Sequence, residues 1–425
     1  AANRRRMDAD ISTRWPSMSE TFELGIDSIA AGGDGVGRHG GVVVFVPRTS
    51  PGDMVLVEAS QEGRLMRGRL LEVITPSPIR VQPRCLHYEA DRCGGCQLQH
   101  MTYEGQLAAK SGMIRDALIR IGKIDAAAPV VEPSDDPWRY RRKITLAVRR
   151  DGESLIAGLH PLDAPTKVFD LRDCHITDEA VLTGWRTVRA VSHLLPPDRE
   201  LRVGIRVVAE GFALIVEGST AWTSHEALFL SVPAMAELWW KPAGSARRLL
   251  HSRVVGQAGA SFEQVNADVA AKLLEWVLGL AKPVAAQTAV DAFSGTGNIA
   301  VALAQRGARV TAIEIDRDAS RVCASRLPAG SRAVAATVER ALPRALPAEL
   351  VVLNPPRAGI DKRIAEILQT QTPRPSTLIY VSCDPATLAR DVRRLDRYRV
   401  KSVRAFDMFP QTAHVETVCE LEPAA

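Results

Sequence analysis

Cys383, in Tyr380-Val381-Ser382-Cys383-Asp384-Pro385, closes an apolar strand-like run, and the Asp384-Pro385 behind it has the composition of a helix start. A helix N-terminus favours negative charge, so a thiol placed there is biased toward thiolate, the nucleophilic form. Glu416, in His414-Val415-Glu416-Thr417-Val418, interrupts an otherwise apolar run. A carboxylate in such a place is either the outward-facing member of an alternating strand or a general base. For Cys383 the competing reading is an inert buried thiol. Together, a thiolate and a base suit one sequence of steps. The thiolate adds to an electron-poor double bond, the neighbouring carbon captures an electrophile, and proton removal lets the thiolate leave.

A source for the electrophile lies upstream. Val290-Asp291-Ala292-Phe293-Ser294-Gly295-Thr296-Gly297-Asn298 ends one strand pattern and opens a helix. Its glycines allow close backbone approach to a ligand, and the helix N-terminus offers free N–H groups. Glu314, ending the next strand pattern, stands where a carboxylate accepts ribose hydroxyls. A single Gly-x-Gly with Asp291 at the strand end fits an S-adenosylmethionine site better than the three-glycine pyrophosphate turn of an NAD site. Leu353-Asn354-Pro355-Pro356-Arg357-Ala358-Gly359 follows a later strand. Alone, Asn354-Pro355-Pro356 suggests methyl transfer to an amino nitrogen. Such a transfer needs no thiol, whereas carbon 5 of uracil becomes nucleophilic once a thiolate has added at carbon 6.

Cys85-x7-Cys93-Gly94-Gly95-Cys96 gathers three thiols within twelve residues. His87 or His100 could complete a zinc site, and the spacing leaves zinc and iron both open. Trp138-Arg139-Tyr140-Arg141-Arg142-Lys143 interleaves rings and cations, a pattern that stacks unpaired bases while meeting phosphates, or else an ordinary solvated edge strand. Cys323 and Cys419 lie in apolar periodic stretches and read as core thiols.

These groups sit in a chain of 425 residues, 46% hydrophobic and 24% charged, with a formal net charge of +5. That length suits roughly three domains of a globular protein. No apolar run approaches the roughly 18 residues needed to span a bilayer, and residues 1–17 read as a disordered leader or an upstream start, without a signal-peptide core. Without a secretory signal, the seven cysteines argue for a metal site or reactive thiols over disulfides.

The elements that must position these residues fall into three regions. Residues 19–80 alternate short apolar strands with glycine turns, the pattern of a small all-β barrel. Residues 81–258 include a helix over 103–122 and then strand-like segments, an α+β arrangement. From 259 to 425, apolar strands at 288–293, 309–314, 350–353 and 377–382 alternate with helices, which predicts a doubly wound parallel sheet. The segments 403–409 and 414–421, joined by Pro410-Gln411-Thr412, read as an antiparallel hairpin at the sheet edge.

With these motifs assembled, the chain resembles the RNA uracil-5-methyltransferase family, in particular bacterial 23S ribosomal RNA enzymes. The resemblance rests on Phe262-Glu263-Gln264-Val265-Asn266, Asn354 to Gly359, Ser382 to Asp391 and Asp407 to Glu416. It implies an α/β fold with a Rossmann-like class I methyltransferase domain (259–425), an OB-like TRAM β-barrel (19–80) that holds RNA, and a central Fe–S domain (81–258). It implies Cys383 as nucleophile, Glu416 as base, and Gln264, Phe293, Asn298, Glu314 and Asn354 around S-adenosylmethionine. A [4Fe–4S] cluster on Cys85, Cys93, Cys96 and Cys174 follows from the same resemblance. So do a cytoplasmic location and structured RNA as partner, ribosomal RNA ahead of transfer RNA, with no membrane and no obligate protein partner.

Overall fold

The computed structural model describes residues 19–152, 154–253, 264–281 and 287–424. The leader and the Phe262-Glu263 half of one family-like segment lie outside them. The chain divides into two compact units, one extending to Val81 and including His100–Thr102, the other holding Gln82–Gln99 and everything from Tyr103 onward.

In the smaller unit, alternation of apolar and polar residues builds a six-stranded sheet. Its order is Ser19–Gly25, Met54–Glu62, Leu65–Thr75, Val42–Val46, Gly35–His39, Ser28–Ile29. Val55, Val57 and Ala59 turn inward at every second position and pack with Leu24, Val44 and Val46. The expected closed barrel does not form: Ser19–Gly25 and Ser28–Ile29 end the order and share no ladder. Ser28–Ile29, only two residues long, is too short to build the closing seam.

The larger unit contains two sheets. The first has seven strands, ordered Phe169–Asp170, Ser154–Leu159, Lys143–Asp151, Glu200–Val208, Gly211–Glu217, Met235–Lys241, Arg248–Ser252. The helix Glu179–Ala190, capped by the Asp178 carboxylate, lays Val181, Trp185 and Val188 into the same core as Phe212 and Leu214 of that sheet. Beyond Phe169–Asp170, the chain carries Cys174 into a small apolar cluster with Cys85, Tyr88, Cys96 and Ile176.

The second sheet has eight strands, ordered Arg332–Ala335, Arg309–Glu314, Thr288–Ala292, Leu350–Leu353, Thr377–Ser382, Glu416–Pro423, Tyr398–Phe406, Val131–Glu132. The first five run parallel. Leu350–Leu353, without a polar residue, is buried on both faces, as a central parallel strand must be. The C-terminal hairpin is antiparallel, as expected, with its last strand inserted between Thr377–Ser382 and Tyr398–Phe406. It is not the sheet edge. Val131–Glu132, from the central region, adds in parallel beside Ala405 and Phe406. Among the described residues no helix is long and apolar enough to cross a membrane.

Candidate active site

The parallel strands deliver their loops to one edge of the sheet, and the loop after Thr288–Ala292 shapes a cavity of about 470 Å³. Phe293, Gly295 and Gly297 adopt left-handed backbone at φ 63°, 55° and 85°. Gly297 precedes the helix Asn298–Gln305, and a Cβ there would lie 2.3 Å from the Cys323 sulfur, so the turn requires glycine. Gln264, Phe293, Asn298 and Asn354 line the cavity, with Asp291 and Met408. Glu314 stands outside that lining. Its Oε2 accepts the Gly295 N–H at 2.9 Å and its Oε1 the Asp316 N–H at 2.8 Å, so it fixes the glycine loop from behind.

Asp291 is the more exceptional carboxylate. Its Oδ2 accepts the Ala300 N–H at 2.9 Å, while Oδ1 is buried with no hydrogen-bond partner among the described residues. Burial pushes its carboxyl up to about 7, the Ala300 amide opposing and the Glu314 charge adding to the rise. A cavity wall carrying an unmatched carboxylate oxygen suits a ligand with a positively charged donor.

At the next strand ends, Thr377–Ser382 and Glu416–Pro423 pair antiparallel, with Ser382 opposite Thr417. One further step of that register sets Cys383 opposite Glu416. Asp384 caps the helix Pro385–Arg394 by accepting the Thr387 N–H at 2.7 Å, which fixes the chain immediately after the thiol. Glu416 is 7% exposed, and burial pushes its carboxyl up to about 7 against the pull of Arg357. Cys383 is half-buried. The expected helix-dipole bias toward thiolate does not prevail: burial first, then the Glu416 charge, raise the thiol, and a hydrogen bond and charge from Arg357 oppose the rise. Arg357 also donates from Nη2 to His414 Nε2 at 3.4 Å, and burial followed by the Arg357 charge holds that imidazole below its ordinary range. A thiol, a buried carboxyl and an imidazole thus share one guanidinium.

The Asn354–Gly359 loop is fastened to the helix behind Cys383. Thr387 Oγ1 donates to Arg357 O at 3.1 Å and Arg390 Nη2 to Ala358 O at 2.6 Å. The fully buried Asp391 accepts from Ile360 N at 2.9 Å and from the Tyr380 hydroxyl at 2.7 Å. At Gly359, φ is 81° and a Cβ would lie 2.1 Å from an Asp391 oxygen. Asp391 and His414 were not singled out in the sequence. Both belong to family-like segments, but nothing local distinguishes a buried polar residue from a solvated one.

The four cysteines Cys85, Cys93, Cys96 and Cys174 line a second cavity, of about 540 Å³, and none of the seven cysteines is in a disulfide. Burial raises the thiols of Cys85 and Cys96, and the nearby Cys174 adds to the rise in each. Among the described residues, no three Cys, His, Asp or Glu side chains meet closely enough to hold a metal ion. His87 is committed elsewhere: Nδ1 meets Asp91 at 2.6 Å and Nε2 accepts the Arg172 N–H at 3.0 Å. His100 belongs to the smaller unit, where burial holds it down at about 4. Gln264 lines both cavities. Cys323 and Cys419 are fully buried, as core thiols should be.

Part of the ring-and-cation segment is engaged by partners within the protein. Arg139 forks onto Asp173 at 2.9 and 3.0 Å, and the Tyr140 hydroxyl donates to Pro410 O at 3.0 Å. Arg142 and Lys143 remain exposed.

With this geometry in view, comparison with known proteins is informative. A family model described as tRNA (Uracil-5-)-methyltransferase matches residues 248–329 and 344–423. A protein of Thermosynechococcus vestitus named as an uncharacterized RNA methyltransferase is 33% identical over 94% of this chain and 98% of its own length. One of Halalkalibacterium halodurans with the same description is 29% identical over 95% and 97%. The crystal structure of Pyrococcus abyssi tRNA (uracil-54, C5)-methyltransferase with S-adenosyl-L-homocysteine shares the fold. It superimposes with a TM-score of 0.67 over 94% of this chain and all of that one, at 22% identity. The strand-end thiol and carboxyl, the glycine-loop cavity and these matches agree, and the chain belongs to the RNA methyltransferases, its residues 248–329 and 344–423 matching the tRNA (Uracil-5-)-methyltransferase model.

Proposed function

We propose that the protein methylates carbon 5 of a uridine in structured RNA through a covalent bond to Cys383. The observation that carries this reading is the nearness of Cys383 and Glu416, one residue beyond the Ser382–Thr417 pair, with the Glu416 charge acting on the thiol and Arg357 acting on both. S-adenosylmethionine, held by Gln264, Phe293, Asn298 and Asn354 with Glu314 behind the loop, supplies an electrophilic methyl group. Asp291 Oδ1 is suited to its ammonium.

As an extruded uracil enters beside the half-buried Cys383, the thiol passes its proton to solvent, leaving Glu416 ionised, and the thiolate sulfur bonds to carbon 6. The displaced π electrons form an enolate across carbon 5 and oxygen 4, within reach of a cation such as Arg357. Carbon 5 attacks the methyl carbon, and S-adenosylhomocysteine departs with the electron pair of the broken carbon–sulfur bond. Glu416, ionised, then removes the carbon-5 proton, the double bond re-forms and the Cys383 sulfur leaves carbon 6. Its pKa near 7 matches proton abstraction at neutral pH. An amino-directed transfer through Asn354-Pro355-Pro356 would leave this thiol and base without a role.

We propose further that Cys85, Cys93, Cys96 and Cys174 hold a [4Fe–4S] cluster. Four thiols lining one cavity, none of them in a disulfide, with His87 engaged by Asp91 and Arg172, support this over a zinc site completed by histidine. A four-iron cluster is bound from around its periphery, so its ligands need not converge on one point as they do at a single ion. The cluster would supply a covalent staple between the Cys93–Cys96 turn and the segment ending at Cys174. For the RNA we favour ribosomal RNA acted on in the cytoplasm, with Arg142 and Lys143 toward phosphates. Transfer RNA is the alternative, since the Pyrococcus abyssi enzyme that shares the fold acts on it. Nucleoside analysis of digested RNA after reaction should yield 5-methyluridine, and N-methylated adenosine instead would overturn the proposal. Mapping 5-methyluridine in total RNA of a deletion strain distinguishes the two RNAs.

A further inference from the structure

The loop that leads into Glu416 has a turn of its own, the Thr412 N–H and hydroxyl both bonding to Phe409 O, but takes the rest of its shape from distant residues. Gln411 lies in left-handed backbone at φ 69°, a conformation that costs a non-glycine residue roughly 1–2 kcal/mol and persists when its surroundings impose it. Those surroundings come from residues 97–140, more than 250 positions away. Gln106, 1% exposed, forks onto Gln411, donating from Nε2 to its side-chain oxygen and accepting its N–H, both at 2.9 Å. The Gln411 carbonyl receives two backbone N–H groups, from Gln97 at 3.1 Å and Leu98 at 3.0 Å. The Pro410 carbonyl receives the Tyr140 hydroxyl.

Gln97 reaches furthest along the loop. Its Oε1 accepts the Ala413 N–H at 3.3 Å, and its Nε2 donates to Gly94 O at 2.8 Å. With an N–H facing the oxygen and a carbonyl facing the nitrogen, the amide has a single satisfied orientation. Its own carbonyl accepts the buried Tyr88 hydroxyl at 3.0 Å. Gln97 therefore ties the glycine turn between Cys93 and Cys96 to a backbone amide next to His414 and three residues before Glu416.

We infer that Gln97 is a positioning residue for the base: it transmits the placement of the cysteine turn to the Ala413–Glu416 segment. This rests on the assignment of Glu416 as the base. A mispositioned carboxyl slows the last step selectively, because thiolate addition and methyl capture precede proton removal.

The test follows single turnovers in the full-length, cluster-loaded protein, comparing wild type with Gln97→Met, Gln97→Glu and Glu416→Gln. Gln97→Met keeps the side chain's bulk and removes both hydrogen bonds. It is expected to slow turnover on the order of ten- to a hundred-fold and to accumulate a methylated, covalent protein–RNA adduct. S-adenosylmethionine affinity should be unchanged, and hydrogen exchange at the Ala413 amide faster. Gln97→Glu keeps an acceptor for the Ala413 N–H and should recover most of the rate. An adduct in Glu416→Gln with none in Gln97→Met overturns the positioning role alone. No adduct in Glu416→Gln overturns the base assignment and the positioning role with it. Should Gln97→Met not fold, Tyr140→Phe, which loses only the bond to Pro410, takes its place: adduct accumulation supports the inference and wild-type turnover overturns it.

Discussion

Lys110 and Asp407 form an ion pair with neither side chain exposed: the ammonium lies 2.5 Å from Oδ1 of Asp407 and donates also to Phe409 O at 3.0 Å. Burial alone would drive the lysine toward its neutral form, and the Asp407 charge counters this. Breaking a buried pair from one side leaves an uncompensated charge and costs about 3–5 kcal/mol, whereas replacing both partners with apolar residues is often close to neutral. Lys110→Met should therefore lower the chemical-denaturation midpoint strongly, and Lys110→Met with Asp407→Leu should restore most of it. Equal destabilisation by the single and double variants would mean that the pair is not coupled.

With Glu416 as the proposed base, the reaction should be pH-sensitive. Below about 7 the folded protein keeps this carboxyl protonated, so the elimination rate should climb as pH rises through 7 and level off above it. Stability has the opposite sign. Between the ordinary value of 4.5 and about 7 the folded state binds the extra proton, so this group's contribution to stability is lost as pH rises through that window. Glu416→Gln should remove both slopes and trap the methylated adduct. Normal turnover in that variant would assign the proton abstraction to another group.

Asp291 predicts a pH dependence of a different kind. If its free Oδ1 meets a cation on the cofactor, binding requires the ionised form, and affinity should fall up to ten-fold per pH unit below about 7. Calorimetric titration of S-adenosylmethionine across that range measures it. Asp291→Asn should weaken binding and flatten the profile, and a flat wild-type profile would remove Asp291 from the contact.

Iron content tests the cysteine cavity. Anaerobically purified wild type should carry roughly four irons per chain. Cys174→Ser should lower iron and melting temperature together, since losing a ligand loosens a cross-link between distant segments. Cys323→Ser should leave iron unchanged. Stoichiometric zinc in a colourless, active preparation would overturn the cluster.

The parallel sheet and the strand-end position of Cys383 were legible because apolar strands, helix caps and glycine turns are local patterns. Asp384-Pro385 announced its helix, and Gly295 and Gly297 their turn. What was not legible depends on distant partners. Val131–Glu132 has no strand signal of its own beyond two residues, and only the exposed side of Tyr398–Phe406 makes it one. Arg139 and Tyr140 read as rings and cations in sequence, which does not show that Asp173 and Pro410 await them. The thiolate bias of Cys383 failed for a similar reason: a helix start is visible in sequence, while the burial that outweighs it is a property of the packed site.

That eighth strand limits how the enzyme can be dissected. A fragment beginning at residue 259 would match the methyltransferase region in sequence yet leave the Ala405–Phe406 edge unpaired. It would also strip Arg404 of Glu132, which it otherwise holds at 2.5 Å while lying 4.5 Å from the Trp276 ring. A strand edge left open, even one carrying Lys401 and Arg404, presents unpaired N–H and C=O groups to another chain. Truncation at residue 259 thus turns an internal seam into an exposed edge, and the methyltransferase region takes its eighth strand from a segment that carries none of its chemistry.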